Sequence, residues 1–166
     1  FRIDKYSKEI KVLRADLDPL DRALQAVVLS QYRKIIAEKN GLLIKPVILM
    51  KSQTIDESKG VKDEFNKLIK NLRAKDLRKI MKIAKRNSEG EILKKAFEYF
   101  TENKIPLDNL VRMIKEEFSE ERCLAVNSKE DSIEKQIIVN TLEDKNNGVR
   151  VIFAVDMLNE GWDVLN

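Results

Sequence analysis

The sequence predicts an α/β fold, with a parallel sheet between layers of helices. Three short apolar runs alternate with amphipathic helical stretches along the 166 residues, as in doubly wound α/β domains. The runs are apolar at consecutive positions, which is typical of strands that are covered on both faces. Polar residues follow each run, at the strand ends where such sheets bind their ligands.

The first helix, strand and second helix are predicted from local signals. Asp18 is a typical N-cap with Pro19 at the first helical position, apolar residues follow at helical spacing, and Gly41 is a stop signal. Pro46 then opens the apolar run "PVILM", which predicts a strand covered on both sides. The spacing of apolar residues predicts a second helix from about Ile55.

The middle of the chain predicts three helices and no strand. Leu77, Ile80 and Ala84 form one apolar stripe at helical spacing. Ser88 and Glu91 have the spacing of a capping box ahead of the next helix. Pro106 begins the third of these helices. The three helices are predicted to form an insertion or small subdomain.

The last part of the chain predicts strand, helix and strand. The run "RCLAVNS" is a short buried strand, and Ser128 or Ser132 caps the helix after it. The turn "KNNG" precedes "VRVIFAV", the third strand. The side of the helix predicted to face the core carries Ile133, Ile137, Ile138 and Leu142.

Composition excludes several classes of site. The chain has no His, so it cannot hold a His general base, a Ser-His-Asp triad or an imidazole metal ligand. A single Cys excludes an internal disulfide. A net charge of +4 permits contact with nucleic acid without requiring it. The apolar runs are too short to span a bilayer, and no signal peptide is recognised, so we expect a cytoplasmic protein without a membrane partner, as part of a larger polypeptide.

The polar turn after the third strand is the first candidate site. Gly161 permits a tight turn or a close approach of the backbone to a ligand. The carboxylates of Glu160 and Asp163 suit a ribose hydroxyl or a hydrated metal ion, and Trp162 suits packing against a neighbouring domain. The alternative is a turn that ends the strand and carries solvated acids.

The ends of the other strands and one helix are candidate phosphate contacts. Lys51 and Ser52 follow the first strand near a helix N-terminus, which favours anions, and a capped loop with a solvated Lys is the alternative. Asn127 and Ser128 have the same two interpretations. The first inserted helix has a basic stripe that suits a phosphate backbone or is simply solvated. The stripe comprises Lys75, Arg78, Lys79, Lys82 and Arg86.

These segments resemble motifs of superfamily 2 helicases and translocases. The end of the chain, "VRVIFAVDMLNEGWDVLN", resembles motif V as found in the helicase (Res) subunit of type III restriction endonucleases. The earlier segments "KPVILMKSQTIDESKG" and "RCLAVNSKED" resemble the motif IV strand and the strand that follows it, in the same order. The resemblance covers about residues 42–70 and 121–166, and the helical middle matches no motif.

The resemblance implies a RecA-like α/β fold and a domain organisation. Residues 1–41 are a connector and leading helix, 42–70 and 119–166 are the second RecA-like domain truncated before motif VI, and 71–118 are a helical insertion. In such motors ATP and Mg lie between two RecA-like domains, and duplex DNA crosses both. The implied partners are therefore duplex DNA, a first RecA-like domain of the same chain and a modification (methyltransferase) subunit.

The resemblance also implies roles for individual residues. Gly161 and Asp163 match the family's nucleotide-side residues, with Glu160 beside them at a position where many DEAD-box proteins have Arg. Trp162 is implied at the seam between the two motor domains. Lys51, Ser52, Asn127 and Ser128 are the implied DNA contacts. No catalytic residue and no metal ligand is assigned to this segment. A degenerate RecA-like module that binds a partner protein is the alternative.

Overall fold

The computed structural model describes residues 18–86, 90–127 and 133–155. Six α-helices, three strands and one short 3-10 helix lie within these ranges, and helices and strands are each numbered in chain order. They are α1 (Pro19–Lys39), β1 (Ile48–Ser52), α2 (Ile55–Asn71), α3 (Ala74–Arg86), α4 (Glu91–Glu102), α5 (Leu107–Glu117), the 3-10 helix (Glu120–Arg122), β2 (Cys123–Asn127), α6 (Ile133–Asn140) and β3 (Val151–Val155).

The three strands form one parallel sheet in the order β1-β3-β2. All five residues of the central strand β3 are buried. Parallel neighbours that are distant in the sequence require crossover connections, and here helices supply them. The predicted α/β fold with a parallel sheet is therefore confirmed, and it is compatible with a RecA-like domain.

Local signals place the helix ends as the sequence predicts. The Asp18 side chain accepts a hydrogen bond of 2.8 Å from the Leu20 amide at the start of α1. Gly41, just after α1, has a φ of 71°, which is readily accessible to glycine. Pro106 occupies the N-cap position of α5. Residues 1–17 of the predicted connector and leading helix, and the predicted caps Ser88, Ser128 and Ser132, lie outside the described residues. Gly90 is the N-cap of α4 and Glu91 its first residue, so Glu91 does not occupy the third helical position that a capping box with Ser88 predicts.

Helices α1 to α5 and one face of the sheet share a single hydrophobic core. At its centre, the rings of Phe65 on α2 and Phe153 on β3 meet edge to face, with centroids 5.6 Å apart. The helices of the predicted insertion contribute Leu77, Leu93 and Leu110 to this same core. The domain boundaries inside the chain stay a prediction, but α3 to α5 pack directly with α1 and α2.

The other face of the sheet has a smaller core, and here one prediction is wrong. Val139 and Leu142 are buried against this face. Ile133, Ile137 and Ile138, predicted to face the core, are instead 74%, 56% and 36% exposed. Helix α6 has only eight residues, and Val139 lies about 160° around the helix from Ile137, so packing Val139 inward turns the isoleucines outward.

A buried arginine joins the helices to the start of the sheet. Arg150, directly before β3, is completely buried and forms an ion pair with Glu117 at the end of α5. Its guanidinium also donates to the Ser30 hydroxyl on α1 at 3.0 Å and to the Pro46 carbonyl at 3.1 Å. It lies over the Phe118 ring, 4.6 Å from the centroid. Four separate parts of the chain therefore meet at one cation.

Glu117 is the anion that balances this buried charge. Burial alone would raise the pKa of Glu117, but a hydrogen bond from Lys34 and the charges of Arg150, Lys34 and Arg122 together lower it. The Lys34 ammonium lies 2.6 Å and the Arg122 guanidinium 3.5 Å from its carboxylate. Burial lowers the pKa of Arg150, and Glu117 opposes that shift. The carboxylate therefore has three cationic partners, whereas Arg150 has one anionic partner among the described residues.

This asymmetry predicts unequal effects of removing either partner. Glu117→Gln leaves the buried Arg150 without an anion, so we expect the free energy of unfolding to fall by about 3 to 5 kcal/mol. Arg150→Met leaves Glu117 with two cations and fills the space with an apolar side chain, so the free energy of unfolding should fall by less. Urea unfolding of both variants measures the difference. Glu116→Gln, on the exposed part of α5, is the matched control and should change stability by less than about 0.5 kcal/mol.

The lowered pKa of Glu117 also predicts how stability depends on pH. A carboxylate with a lower pKa in the folded state stabilises the fold above its unfolded pKa, and this contribution is lost as the pH falls through the folded pKa. Wild-type stability should therefore decrease below about pH 4.5, the ordinary glutamate pKa, more steeply than that of Glu117→Gln. Chemical unfolding from pH 7 to pH 3 tests this, and parallel curves for the two proteins would contradict it.

Two glycines predict opposite effects of the same substitution. A Cβ on Gly90 would lie 2.8 Å from the Ala84 carbonyl oxygen, so Gly90→Ala forces the backbone of α3 and α4 apart and should destabilise the protein. Gly60, inside α2, has open space around it, and Gly60→Ala should stabilise by about 0.5 to 1 kcal/mol. Thermal unfolding compares the melting temperatures of both variants directly, and equal changes in melting temperature would refute the predicted clash.

Candidate functional site

The carboxyl ends of the three strands lie side by side at one edge of the sheet. The register pairs Ser52 with Val155 and Val155 with Asn127, so the last residues of β1, β3 and β2 form one row. Since neighbouring strands are about 4.8 Å apart, the outer two backbones are separated by about 10 Å. We call this row, Ser52, Val155 and Asn127, the carboxyl edge. Open α/β sheets bind ligands beyond such an edge.

The structure separates two predicted contacts that are adjacent in sequence. Successive side chains in a strand point to opposite faces. Ser52 is half-buried and shares its face with Met50, which packs in the larger core with α2. Lys51 is exposed and shares the other face with Leu49. Ser52 and Asn127 therefore occupy the same row of the edge, whereas the Lys51 side chain leaves from the face that α6 partly covers.

The loop after β1 is closed by its own hydrogen bonds. The Thr54 hydroxyl accepts a bond of 3.2 Å from the Glu57 amide and caps α2. The Glu57 carboxylate in turn accepts a bond of 2.8 Å from the Gln53 amide. Asp56 and Glu57 place two acids in the first turn of α2, where they already interact favourably with the helix dipole.

This arrangement bears on the two interpretations of the loop. The structure shows a capped loop, and the acids in the first turn of α2 disfavour a phosphate at the helix N-terminus itself. A contact between DNA and Lys51 or Ser52 stays a prediction, and it would have to use the side chains rather than the free amides of the helix.

Several predicted residues lie outside the part of the chain that the structure describes. They are Ser128, Glu160, Gly161, Trp162 and Asp163. The side chain of Asn127 is also outside this description, so its place is known from the strand register alone. Within the described ranges, no group of three or more His, Cys, Asp or Glu residues is placed to hold a metal ion.

A cavity that the sequence does not predict lies at the opposite end of the sheet. It has a volume of about 510 Å³ between α2, α5 and the 3-10 helix that precedes β2. Its polar lining includes Asn66, Lys67, Lys115 and Glu120. Since β2 begins where the 3-10 helix ends, this cavity is at the amino end of the strand and is separate from the carboxyl edge.

The sequence analysis does not assign a role to two notable cations. Arg150 belongs to the apolar run that predicts β3, and a lone Arg in such a run indicates a buried charge partner. Lys85 is not part of the basic stripe that the sequence predicts on α3, but it is exposed like the other cations of that helix. Among the described residues, no helix has the length and apolar character needed to cross a membrane.

Comparison with known proteins gives one clear likeness. The chain is 34% identical, over 178 aligned positions, to a probable type III restriction-modification enzyme HindVIP Res subunit of Haemophilus influenzae. The alignment covers 97% of this chain and 34% of that subunit, so the chain spans about one third of its relative's length.

Two other comparisons returned nothing. No family model matches the sequence. No solved structure matches the chain. The likeness to the Res subunit nevertheless extends through the helical middle, which the motifs alone did not cover, because it includes almost every residue of this chain. By this identity across nearly its whole length, the chain belongs to the family of type III restriction enzyme Res subunits.

Proposed function

We propose that this chain forms part of the second motor domain of an ATP-dependent DNA translocase or helicase of the type III restriction enzyme kind. The carboxyl edge is the observation that carries the proposal. Its central strand, β3, ends at Val155, and the sequence "NEGWDV" follows within a few residues. In a chain of the Res subunit family, a segment that resembles motif V therefore follows the middle strand of a parallel sheet, which supports the proposal.

The nucleotide side of the proposal concerns the turn after β3. Glu160, Gly161 and Asp163 would approach the ribose and Mg side of ATP held jointly with a first RecA-like domain. Gly161 permits close approach of the backbone, and the two carboxylates suit ribose hydroxyls or the water shell of the metal. Bound ATP would supply the phosphoanhydride bond whose hydrolysis drives the motor.

The DNA side concerns the row of strand ends. Ser52, Asn127 and Ser128 would contact phosphates along the carboxyl edge, with Lys51 reaching from the neighbouring face. Phosphate contacts of this kind fix the position of a protein on a duplex without reading its sequence. Trp162 would pack at the seam between the two motor domains and link nucleotide state to the DNA-facing loops. A modification subunit in the cytoplasm is the further partner that we propose.

We expect that the 166-residue chain alone has no ATPase, helicase or nuclease activity. The resemblance implies that the arginine finger lies in motif VI, outside this segment, and such a residue contributes a large part of the catalysis of phosphoryl transfer. The full-length reading frame should hydrolyse ATP faster when duplex DNA is added. Asp163→Ala should abolish that stimulation while circular dichroism stays unchanged.

In the same preparations, a change in Trp162 fluorescence on adding nucleotide would support its coupling role.

Asp63→Ala is the matched control for this experiment. Asp63 is an exposed aspartate in the middle of α2, remote in sequence from the proposed cleft, so this variant should retain DNA-stimulated hydrolysis. Robust ATPase activity in the 166-residue chain alone would contradict the proposed sharing of the cleft. Loss of activity in both variants would show that Asp163 has no specific role.

The exposed isoleucines of α6 favour a second candidate function. Ile133, Ile137 and Ile138 present apolar surface that a partner protein could cover, as in a degenerate RecA-like module without motor activity. The ATPase experiment separates the two candidates. If the full-length protein hydrolyses no ATP with or without DNA, the interaction module is the better description.

A further inference from the structure

The basic excess of this chain is concentrated on one helix. Helix α3 carries six of the 32 Lys and Arg residues but one of the 28 acids. The rest of the chain therefore has 26 bases and 27 acids, so it is close to neutral although the whole chain is +4. This concentration of basic residues on one helix differs from an ordinary solvated surface, where acidic and basic residues are interspersed.

The six cations share one face of α3, which we call the α3 basic face. At 100° per residue they fall within an arc of about 120°. All six residues are exposed. They span 11 steps of the helix, or about 16 Å, which is the length of four to five phosphates of one DNA strand at about 3.4 Å each. The face comprises Lys75, Arg78, Lys79, Lys82, Lys85 and Arg86.

The opposite side of α3 fixes the helix to the protein. Leu77 and Ile80 are 0% exposed and Ala84 is 3% exposed, so the α3 basic face cannot turn inward. Lys79 forms an ion pair of 2.6 Å with Asp21 on α1, and this contact raises the pKa of Lys79. Among the described residues, this is the single ion pair that the α3 basic face makes, so five of its cations have no protein anion there.

We propose that the α3 basic face binds the phosphate backbone of duplex DNA, as a second contact surface outside the carboxyl edge. The inference rests on the proposed function for its choice of DNA as the partner. The observations that carry it are the concentration of charge, the shared exposed arc and the rigid apolar anchor. Contacts of this type are independent of base sequence and strongly dependent on salt.

The α3 basic face gives the helical segment a role in holding the duplex. The strand ends of the carboxyl edge offer hydroxyl and amide groups and one lysine, whereas α3 offers cations alone. Cations release counterions from DNA and supply most of the affinity that does not depend on sequence. The α3 basic face therefore contributes affinity for the duplex, and the carboxyl edge fixes the position of the protein on it.

The test compares two variants with the same loss of charge. In the first, Lys75, Arg78, Lys82 and Lys85 are changed to Gln, which leaves Lys79 and its ion pair in place. In the control, Lys59, Lys67, Lys94 and Lys145, exposed on α2, α4 and the loop before β3, are changed to Gln. Binding of each protein to a fluorescent duplex of random sequence is measured by anisotropy from 50 to 200 mM salt.

We expect the α3 variant to bind duplex DNA at least about tenfold more weakly at low salt. The slope of log affinity against log salt should decrease by about two to four, since each lost phosphate contact removes about 0.9. The control variant should keep most of the parent slope. Both should unfold at nearly the parent temperature, because substitutions at exposed positions change stability little.

Each other outcome overturns the proposal in a distinguishable way. Equal weakening in both variants shows that only total charge matters, and leaves the proposed motor function standing. If the parent chain does not bind duplex DNA, the proposed contact between α3 and DNA is wrong. The ATPase experiment decides the motor function separately. If vesicles of phosphatidylserine and phosphatidylcholine displace the fluorescent duplex as well as unlabelled duplex does, α3 binds anionic surfaces in general rather than DNA.

Discussion

The buried guanidinium of Arg150 is the interaction on which the arrangement of helices and sheet depends. Its side chain reaches α1, α5 and the segment before β1. Its backbone joins the three strands, because its amide donates to the Arg122 carbonyl and its carbonyl accepts from the Ile48 amide, both at 2.9 Å. A completely buried cation without a paired anion is strongly destabilising, and Glu117 at the end of α5 supplies that anion. The amino end of the sheet is thereby fixed to the helical layer.

The two ends of the sheet consequently serve different purposes. The amino end contains the charged network, which connects it to α1 and α5. The carboxyl end is formed by Ser52, Val155 and Asn127, and the chain continues from there into the segment that resembles motif V. The backbone bonds of Arg150 join the strands at the amino end, and the register decides which residues stand in a row at the carboxyl edge. Stability and the proposed function are therefore linked through the sheet and not through shared side chains.

The two faces of the sheet differ as strongly as its two ends. One face packs against a core that draws on five helices, while the other has α6 and the loop that follows it. Leu49 on the edge strand β1 and the isoleucines of α6 stay partly exposed on the second side. The α3 basic face is also directed away from the larger core, because Leu77 and Ile80 point into it. Apolar and basic surfaces are thus displayed by separate elements of one compact unit.

The sequence by itself determined the elements and their type. Asp18, Pro19 and Gly41 set the ends of α1 through local hydrogen bonding and backbone freedom, and continuous apolar runs identified all three strands. It also indicated the family, through the segments at and after the strand ends that resemble helicase motifs. These features were predictable because each depends on neighbours within a few positions along the chain.

Only the tertiary structure decided how these elements meet. It placed β3 between β1 and β2, separated the side chains of Lys51 and Ser52, and turned Ile137 away from the core. It also showed that Arg150 is buried with Glu117, 33 residues away in sequence. The physical reason is that burial of a charge, or of one helix face rather than another, depends on partners brought together by long-range packing, which local sequence patterns do not contain.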